Sequence, residues 1–401
     1  MRISAIGCQT VGDATELSAD IDGFRLWYRF PAEYSISTRG DAFLAAALQP
    51  AMRTGEPLVI EGAPVSPKLL ASIDRLQDVY NFWDPAYRKI PIVADQEPDP
   101  PGVAAVGSFF SGGIDGCHTF LKHTEEITHL IFIKGVDIQI DNDALFSEAL
   151  ALNRSFADAY GKKMVPVETN IRRFCHPRDT PWTTCNGGGL SSVGLALRFS
   201  RVYIASSHTY SELFPLGSHP MTDHLWSTEA TEFVHDGAEA RRYDKLRLLA
   251  TSEPAMRGLR VCWQDAGYNC GRCEKCLRTM IGLHLLGLSA PTFPPLDSLD
   301  PVRRMRVISD DDFAHFVDNH RLAQQTGHRE LEAVLGRHVR NYRVRRLLID
   351  IDRELTGGRL KRGFTRLSGL LSGSRDQIAR AILPLALFVK SAPCTLSVLS
   401  A

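Results

Sequence analysis

Between Val103 and Ser207 the chain repeats one pattern: a short apolar run, a turn, then a longer segment with apolar residues at helical spacing. VAAVGSFF, THLIFIKGVDI, MVPVETNI and RVYIASS read as strands, and DGCHTFLKH, ALFSEALALNRSFADAYGK and LSSVGLALRF read as helices. Strands separated by helices pair in parallel, because each helix is the crossover that a parallel neighbour requires. The pattern therefore predicts an α/β fold built on a doubly wound parallel sheet. A chain of 401 residues exceeds one small core, so several regions are expected. Residues 1–100 read as a separate α/β unit, with FRLWYRF and PLVIEGAPV as strands and DAFLAAALQPAM and PKLLASIDRLQDVYNFW as helices. The polar, proline-rich DQEPDPPG reads as a linker into the sheet domain over residues 101–290. Residues 291–401 read as mostly helical, and no internal repeat is visible.

Charge and cysteine content narrow the class. The formal net charge is zero, which argues against a chain held on nucleic acid or membrane by bulk charge. The apolar run AILPLALFV contains a proline and is too short to span a bilayer, and MRISAIGCQTVGD lacks the apolar core of a leader. The expected compartment is the cytoplasm. There, nine cysteines point to thiol or metal chemistry rather than to disulfides.

Two stretches carry chemistry. The first is SGGIDG, Ser111 to Gly116, at the end of a predicted strand and the start of a helix. Glycines allow a tight turn whose backbone N–H groups face an anion, and the positive end of the following helix favours the same guest. A phosphate fits, with Ser111, Gly112, Gly113, Ile114, Asp115 and Gly116 as its surroundings. Asp115 would repel bare phosphate, so it either holds magnesium through water or fixes the loop from within. A plain strand-to-helix turn is the competing reading. The stretch matches neither the Walker pattern nor the dinucleotide fingerprint.

The second is CWQDAGYNCGRCEKC. Cys262, Cys270, Cys273 and Cys276 follow C-x7-C-x2-C-x2-C, and four thiolates this close can close a tetrahedron around zinc. An iron–sulfur cluster is the rival. Four ligands without an open position favour zinc in a structural role. Cys8, Cys117, Cys175, Cys185 and Cys394 lack such spacing and read as core or surface residues, with Cys185 set apart by the adjoining glycine run.

SGGIDG resembles the SGGxDS loop of the PP-loop ATP-pyrophosphatase superfamily, which has an adenine-nucleotide-α-hydrolase-like fold and cleaves ATP between the α- and β-phosphates. Gly116 stands where that family has serine. Together with the cysteine spacing, the region from about Val103 to Leu288 resembles the 7-cyano-7-deazaguanine synthase family. That resemblance implies ATP, magnesium and zinc as cofactors. It implies a carbon–nitrogen ligase that adenylates a small carboxylate, deazaguanine-like or other, for attack by ammonia or an amine. Relatives in bacterial defence loci imply a protein acceptor as one form of that amine, and a homodimer is a further expectation. LFPLGSHPMTDHLWSTEATEFVHDG resembles the family's substrate loop and ARRYDKLRLL the following helix, so the resemblance gives Asp223 and Lys245, with Asp115, catalytic places. The chain departs from the family in its N- and C-terminal hundred residues, in Gly116, and in TTCNGGGLSS, where the synthase carries an arginine–asparagine pair. The alternatives are a non-catalytic nucleotide-binding or scaffold subunit, and a sulfur-transfer or amidotransferase enzyme of the same superfamily.

Other signals are less specific. Asn186, Gly187 and Gly188 read either as a second anion site at a helix start or as a plain turn. His208, His219, His224 and His235, with Asp223, Glu229 and Asp236, read as acid–base or substrate contacts, as metal ligands, or as a polar loop over the strand ends. Lys245 either neutralises transferring phosphate or pairs on a helix surface. Arg337 to Arg366 holds ten Lys/Arg against three Asp/Glu, a solvated helical face or a surface for an acidic partner.

Overall fold

In a computed structural model, residues 1–264, 267–307 and 309–356 are described. The strands are β1 (Arg2–Val11), β2 (Ala14–Ile21), β3 (Phe24–Pro31), β4 (Leu58–Ile60), β5 (Ile92–Val93), β6 (Val103–Phe109), β7 (His129–Lys134), β8 (Lys163–Thr169), β9 (Phe199–Ala205) and β10 (Glu232–Asp236). The helices are α1 (Asp41–Thr54), α2 (Pro67–Trp83), α3 (Ile114–Lys122), α4 (Asp143–Ala159), α5 (Ile171–Cys175), α6 (Trp182–Leu197), α7 (Arg242–Leu249), α8 (Glu253–Arg257), α9 (Glu274–Leu285), α10 (Asp300–Arg304), α11 (Asp310–Gln325) and α12 (Arg329–Thr356).

The repeating pattern forms a parallel sheet. Strands β10, β9, β6, β7 and β8 pair side by side in parallel. β7 is the most apolar of them, because both of its faces are covered, whereas β10 at the sheet edge reads EFVHD. Leu130 and Tyr203 face the core built by Phe110, Ile114, Phe120, Phe156, Leu246 and Leu283. Their neighbours Ile131, Val202 and Ile204 point the other way, into the core shared with α1 and α6. From β6 the chain proceeds to β7 and β8 on one side, then crosses back to β9 and β10 on the other. The end of β6 is therefore a topological switch point, where neighbouring crossovers diverge and leave a crevice.

Residues 1–100 do not form a sheet of their own. Their strands continue the same ten-stranded sheet, in the order β10-β9-β6-β7-β8-β3-β2-β1-β4-β5. The joint is antiparallel and short: Tyr28 pairs with Thr169 and Arg29 with Glu168. Asn170 Oδ1 accepts the Trp27 N–H at 3.0 Å, and Thr169 Oγ1 donates to the Trp27 carbonyl at 2.9 Å. Helix α1 is buried almost throughout, because its alanines admit close packing between the sheet and α6. β1–β3 form a meander whose tight turns fall at Gly12–Asp13 and Asp22–Gly23. Gly12, Asp22 and Gly23 all have positive φ, as tight hairpin turns require.

Met1–Gly336 forms one compact unit, and Arg337–Ala401 is a second. The described part of the second unit is helical and exposes Val344, Leu347, Leu348, Ile351 and Leu355. Residues 357–366 of the basic run, AILPLALFV and Cys394 lie outside the described residues. No helix among the described residues is long and apolar enough to cross a membrane.

Candidate functional site

SGGIDG occupies the turn between β6 and α3, at the switch point. Gly112 has φ of +74°, and a Cβ there would meet Asn153 Oδ1 at 2.9 Å and the Gly258 carbonyl at 3.1 Å. Both the conformation and the space demand glycine. Gly113 is the N-cap of α3 and supplies no side-chain cap, so the first N–H groups of this helix have no capping side chain. Gly116 lies in the first turn of α3, where a Cβ would sit 3.2 Å from the Phe109 carbonyl. A serine there would press on the end of β6, which is a physical reason for the missing hydroxyl.

Asp115 and Lys245, 130 residues apart, meet beside this turn. Lys245 is almost fully buried, and its Nζ donates to Asp115 Oδ1 at 2.8 Å and to the Ser206 carbonyl at 2.5 Å. Arg242, one turn earlier on α7, reaches the other Asp115 oxygen at 3.4 Å. Burial alone would raise the Asp115 carboxyl, but the charges of Lys245 and Arg242 outweigh it and hold the group well below the usual carboxylate range. Burial, reinforced by the Arg278 charge, lowers Arg242 to about 10, so it remains a cation at neutral pH.

With both carboxylate oxygens engaged by cations, Asp115 fits a brace inside the loop and does not fit a direct magnesium ligand. Arg260 completes the surroundings. Its backbone N–H donates to the Gly112 carbonyl at 2.9 Å, while its buried guanidinium has Nε and Nη2 without a hydrogen-bond partner.

The four spaced cysteines converge. Cys262 Sγ lies 3.8 Å from Cys273 Sγ, and Cys270 Sγ lies 3.9 Å from Cys276 Sγ. All four sulfurs fall within 4.8 Å of one another, a set able to hold a metal ion. Cys273 is the N-cap of α9, and Cys276 donates its N–H to the Cys273 sulfur at 3.5 Å. The hydrogen bond from the Cys276 thiol is the largest influence on Cys273 and draws it down to about 5. Asn269 Oδ1 ties down the start of the knuckle by accepting from Val261 and Cys262 N–H. Through Arg260, two residues before Cys262, the cluster is physically joined to the glycine turn.

Other sequence candidates fall elsewhere. Asn186, Gly187 and Gly188 lie inside α6 rather than at its start, so their N–H groups serve the helix. The glycines answer to packing: a Cβ on Gly187 would strike the Gly217 carbonyl at 2.1 Å, and one on Gly188 the Ala45 carbonyl at 2.4 Å. Asp223 is fully buried. It accepts from Ser218 Oγ at 2.7 Å and the His219 N–H at 3.1 Å, and lies 2.7 Å from His235 Nδ1. It therefore holds the 207–224 loop together from within. His219 packs edge-on to Trp83, and His224 is exposed. Glu229 binds Ser66 and the N–H groups of Lys68 and Asp99. Asp236 pairs with Lys122 and accepts from Thr119.

His208 meets Asp311 and His315 of α11. Sequence reasoning missed Arg242, Arg260, Asp311 and His315. Only the D-x3-H spacing of the last two, which puts both on one helix face, offered a signal. Cys175 and Cys185 are buried, Cys117 is buried within α3, and Cys8 is exposed. No family model, curated protein or solved structure matches the chain.

Proposed function

We propose that this chain is an ATP-dependent, AMP-forming carbon–nitrogen ligase, similar in chemistry to the 7-cyano-7-deazaguanine synthase that its motifs resemble. The observation that carries the reading is the turn Ser111–Gly116: a left-handed glycine at a parallel-strand end, an uncapped helix start, and the backbone of Arg260, a buried arginine with two unpartnered nitrogens, held against it. A pyrophosphate group suits that environment, since backbone N–H groups and the helix end supply fixed positive charge.

In this reading, Gly112 and Gly113 let the backbone approach the phosphates, and Asp115 fixes Lys245 and Arg242 beside them. Lys245, Arg242 and Arg260 neutralise charge on the departing pyrophosphate. A carboxylate oxygen of the substrate attacks the α-phosphorus and displaces pyrophosphate. An amine nitrogen then attacks the acyl carbon, AMP leaves, and the amine loses its proton. Magnesium enters as the counter-ion of the nucleotide, and no step is assigned to it.

The metal at the cysteine cluster is zinc in this proposal. Tetrahedral ligands at the usual Zn–S length stand about 3.8 Å apart, which the sulfur separations of 3.8 and 3.9 Å match. Four protein ligands leave no open position, so its role is to hold Arg260 against the turn. The sequence resemblance keeps a small carboxylate as substrate and ammonia or a protein amine as acceptor.

One observation favours a second reading, a non-catalytic anion-binding subunit. Lys245 is already neutralised by Asp115, so it must change partners to act on phosphate. Incubating the protein with ATP, magnesium, ammonia and a panel of small aromatic acids separates the two. Carboxylate-dependent release of AMP and pyrophosphate supports the ligase. Nucleotide binding with no release under any acid supports the subunit, and neither binding nor release removes both.

A further inference from the structure

We infer that His208, Asp311 and His315 form a second metal site, for a divalent transition-metal ion, distinct in chemistry from the cysteine cluster. Two elements build it. His208 follows β9 in the loop over the strand ends, and Ser206 fixes it by donating its hydroxyl to the His208 carbonyl at 2.7 Å. Asp311 and His315 stand four residues apart in the first turns of α11, so they share one helix face. The start of that helix is held by a capping box between Ser309 and Asp312.

Two ring nitrogens converge on one carboxylate oxygen. His208 Nε2 and His315 Nε2 lie 2.9 and 3.4 Å from the same oxygen, Asp311 Oδ1. Yet both nitrogens are buried and neither makes a directed hydrogen bond. The side chains of His208 and His315 are only 6% and 3% exposed. Such nitrogens are costly to leave unmatched, and a cation between them and the carboxylate satisfies all three groups at once.

The spacing fits. Ligand atoms about 2.0–2.1 Å from a tetrahedral ion stand about 3.3 Å apart, which the distances of 2.9 and 3.4 Å bracket. All three ligand atoms fall within 4.8 Å of one another. The ring of Phe214 packs edge-on to His208 at 4.6 Å and fixes its plane. Nearby guanidinium charges are matched: Arg242 by Asp115, Arg278 by Glu274.

Two imidazoles and one carboxylate select zinc, cobalt, iron or manganese over magnesium or calcium. Three protein ligands leave a position open to water or a ligand oxygen, and Asp311, 43% exposed, gives solvent a route to it. The site adjoins the glycine turn through Ser206, whose carbonyl accepts from Lys245. It does not depend on the ligase reading.

The test is metal stoichiometry on the full chain, using zinc and cobalt alone as probes. The wild type loads two ions per chain, one with a thiolate-to-cobalt charge-transfer band and one without. Asp311→Asn, which keeps the shape of the side chain, and His315→Ala each load one, and the thiolate band survives. Zinc affinity at the lost site falls by more than the roughly 10–100-fold typical of removing an outer-shell partner. Thermal unfolding confirms that the variants fold, and Asp311→Asn carries the test if His315→Ala does not. One ion per wild-type chain under excess metal overturns the inference, as do two ions in the folded variants.

Discussion

The glycine turn and the cysteine cluster stand side by side, joined by one hydrogen bond from Arg260 to Gly112, yet they are built on opposite plans. The cysteine cluster is local: four ligands within fifteen residues, brought together by one knuckle and the start of α9. The glycine turn is assembled from a distance. Its backbone comes from Ser111–Gly116, its internal ion pairs from Arg242 and Lys245, and its unmatched cation from Arg260. A local site stands or falls with its ligands, whereas a distributed site can lose one member and keep the rest.

The largest effect tests the local plan. Cys273→Ser should remove the metal and lower stability by several kcal/mol, part of the roughly 10–16 kcal/mol that structural zinc gives small fingers. Calorimetric unfolding with metal analysis reads both. Because Arg260 precedes the knuckle, the same variant should weaken anion binding at the turn. Unchanged binding in the metal-free protein would separate the two regions.

Next comes the buried ion cluster. Lys245→Met leaves the buried Asp115 carboxylate with only the longer contact to Arg242, and the loss should be about 3 kcal/mol. Adding Asp115→Asn should restore part of it, since the carboxylate is removed while Arg242 loses its partner. Chemical denaturation of the two single variants and the double variant measures the coupling. Acid offers a second readout. The folded-state carboxyl of Asp115 is held below its ordinary value, so its stabilisation is present above about pH 4 and fades as pH falls further. Lys245→Met should shrink that acid-induced loss.

Gly112→Ala should cost about 1–2 kcal/mol from the left-handed backbone, and more from contact with Asn153 and Gly258. It should abolish anion binding while leaving the metal bound. Gly116→Ser is the mildest change, at most about 1 kcal/mol, since the Phe109 carbonyl needs to yield only slightly. Thermal shift ranks the two, and a larger loss at Gly116 than at Gly112 would reverse the assignment of the turn.

How much was legible in the sequence follows the same division. The cysteine spacing is a local pattern, and the sulfurs do converge. The apolar runs announced β6, β7, β8 and β9, but not the edge strand β10, whose EFVHD is largely polar. β1 and β2 were missed because RISAIGCQTV and ATELSADI mix polar and apolar residues without a long apolar run. Their turns, at Gly12–Asp13 and Asp22–Gly23, were the signal available. Helix α6 begins earlier than its apolar pattern suggests, because Gly187 and Gly188 are needed for close packing rather than for a turn. Arg260 and Arg242 carry no motif of their own. Only the fold places them at the turn, as only the fold brings His208 to Asp311 and His315 of α11.

The most direct measurement is calorimetric titration of ATP and of pyrophosphate into the zinc-loaded wild type and into Gly112→Ala and Arg260→Met. The account predicts that both ligands bind the wild type, that Gly112→Ala binds neither, and that Arg260→Met binds at least ~10-fold more weakly, the loss of one charge-assisted contact. No heat with either ligand in the folded, metal-loaded wild type would contradict it.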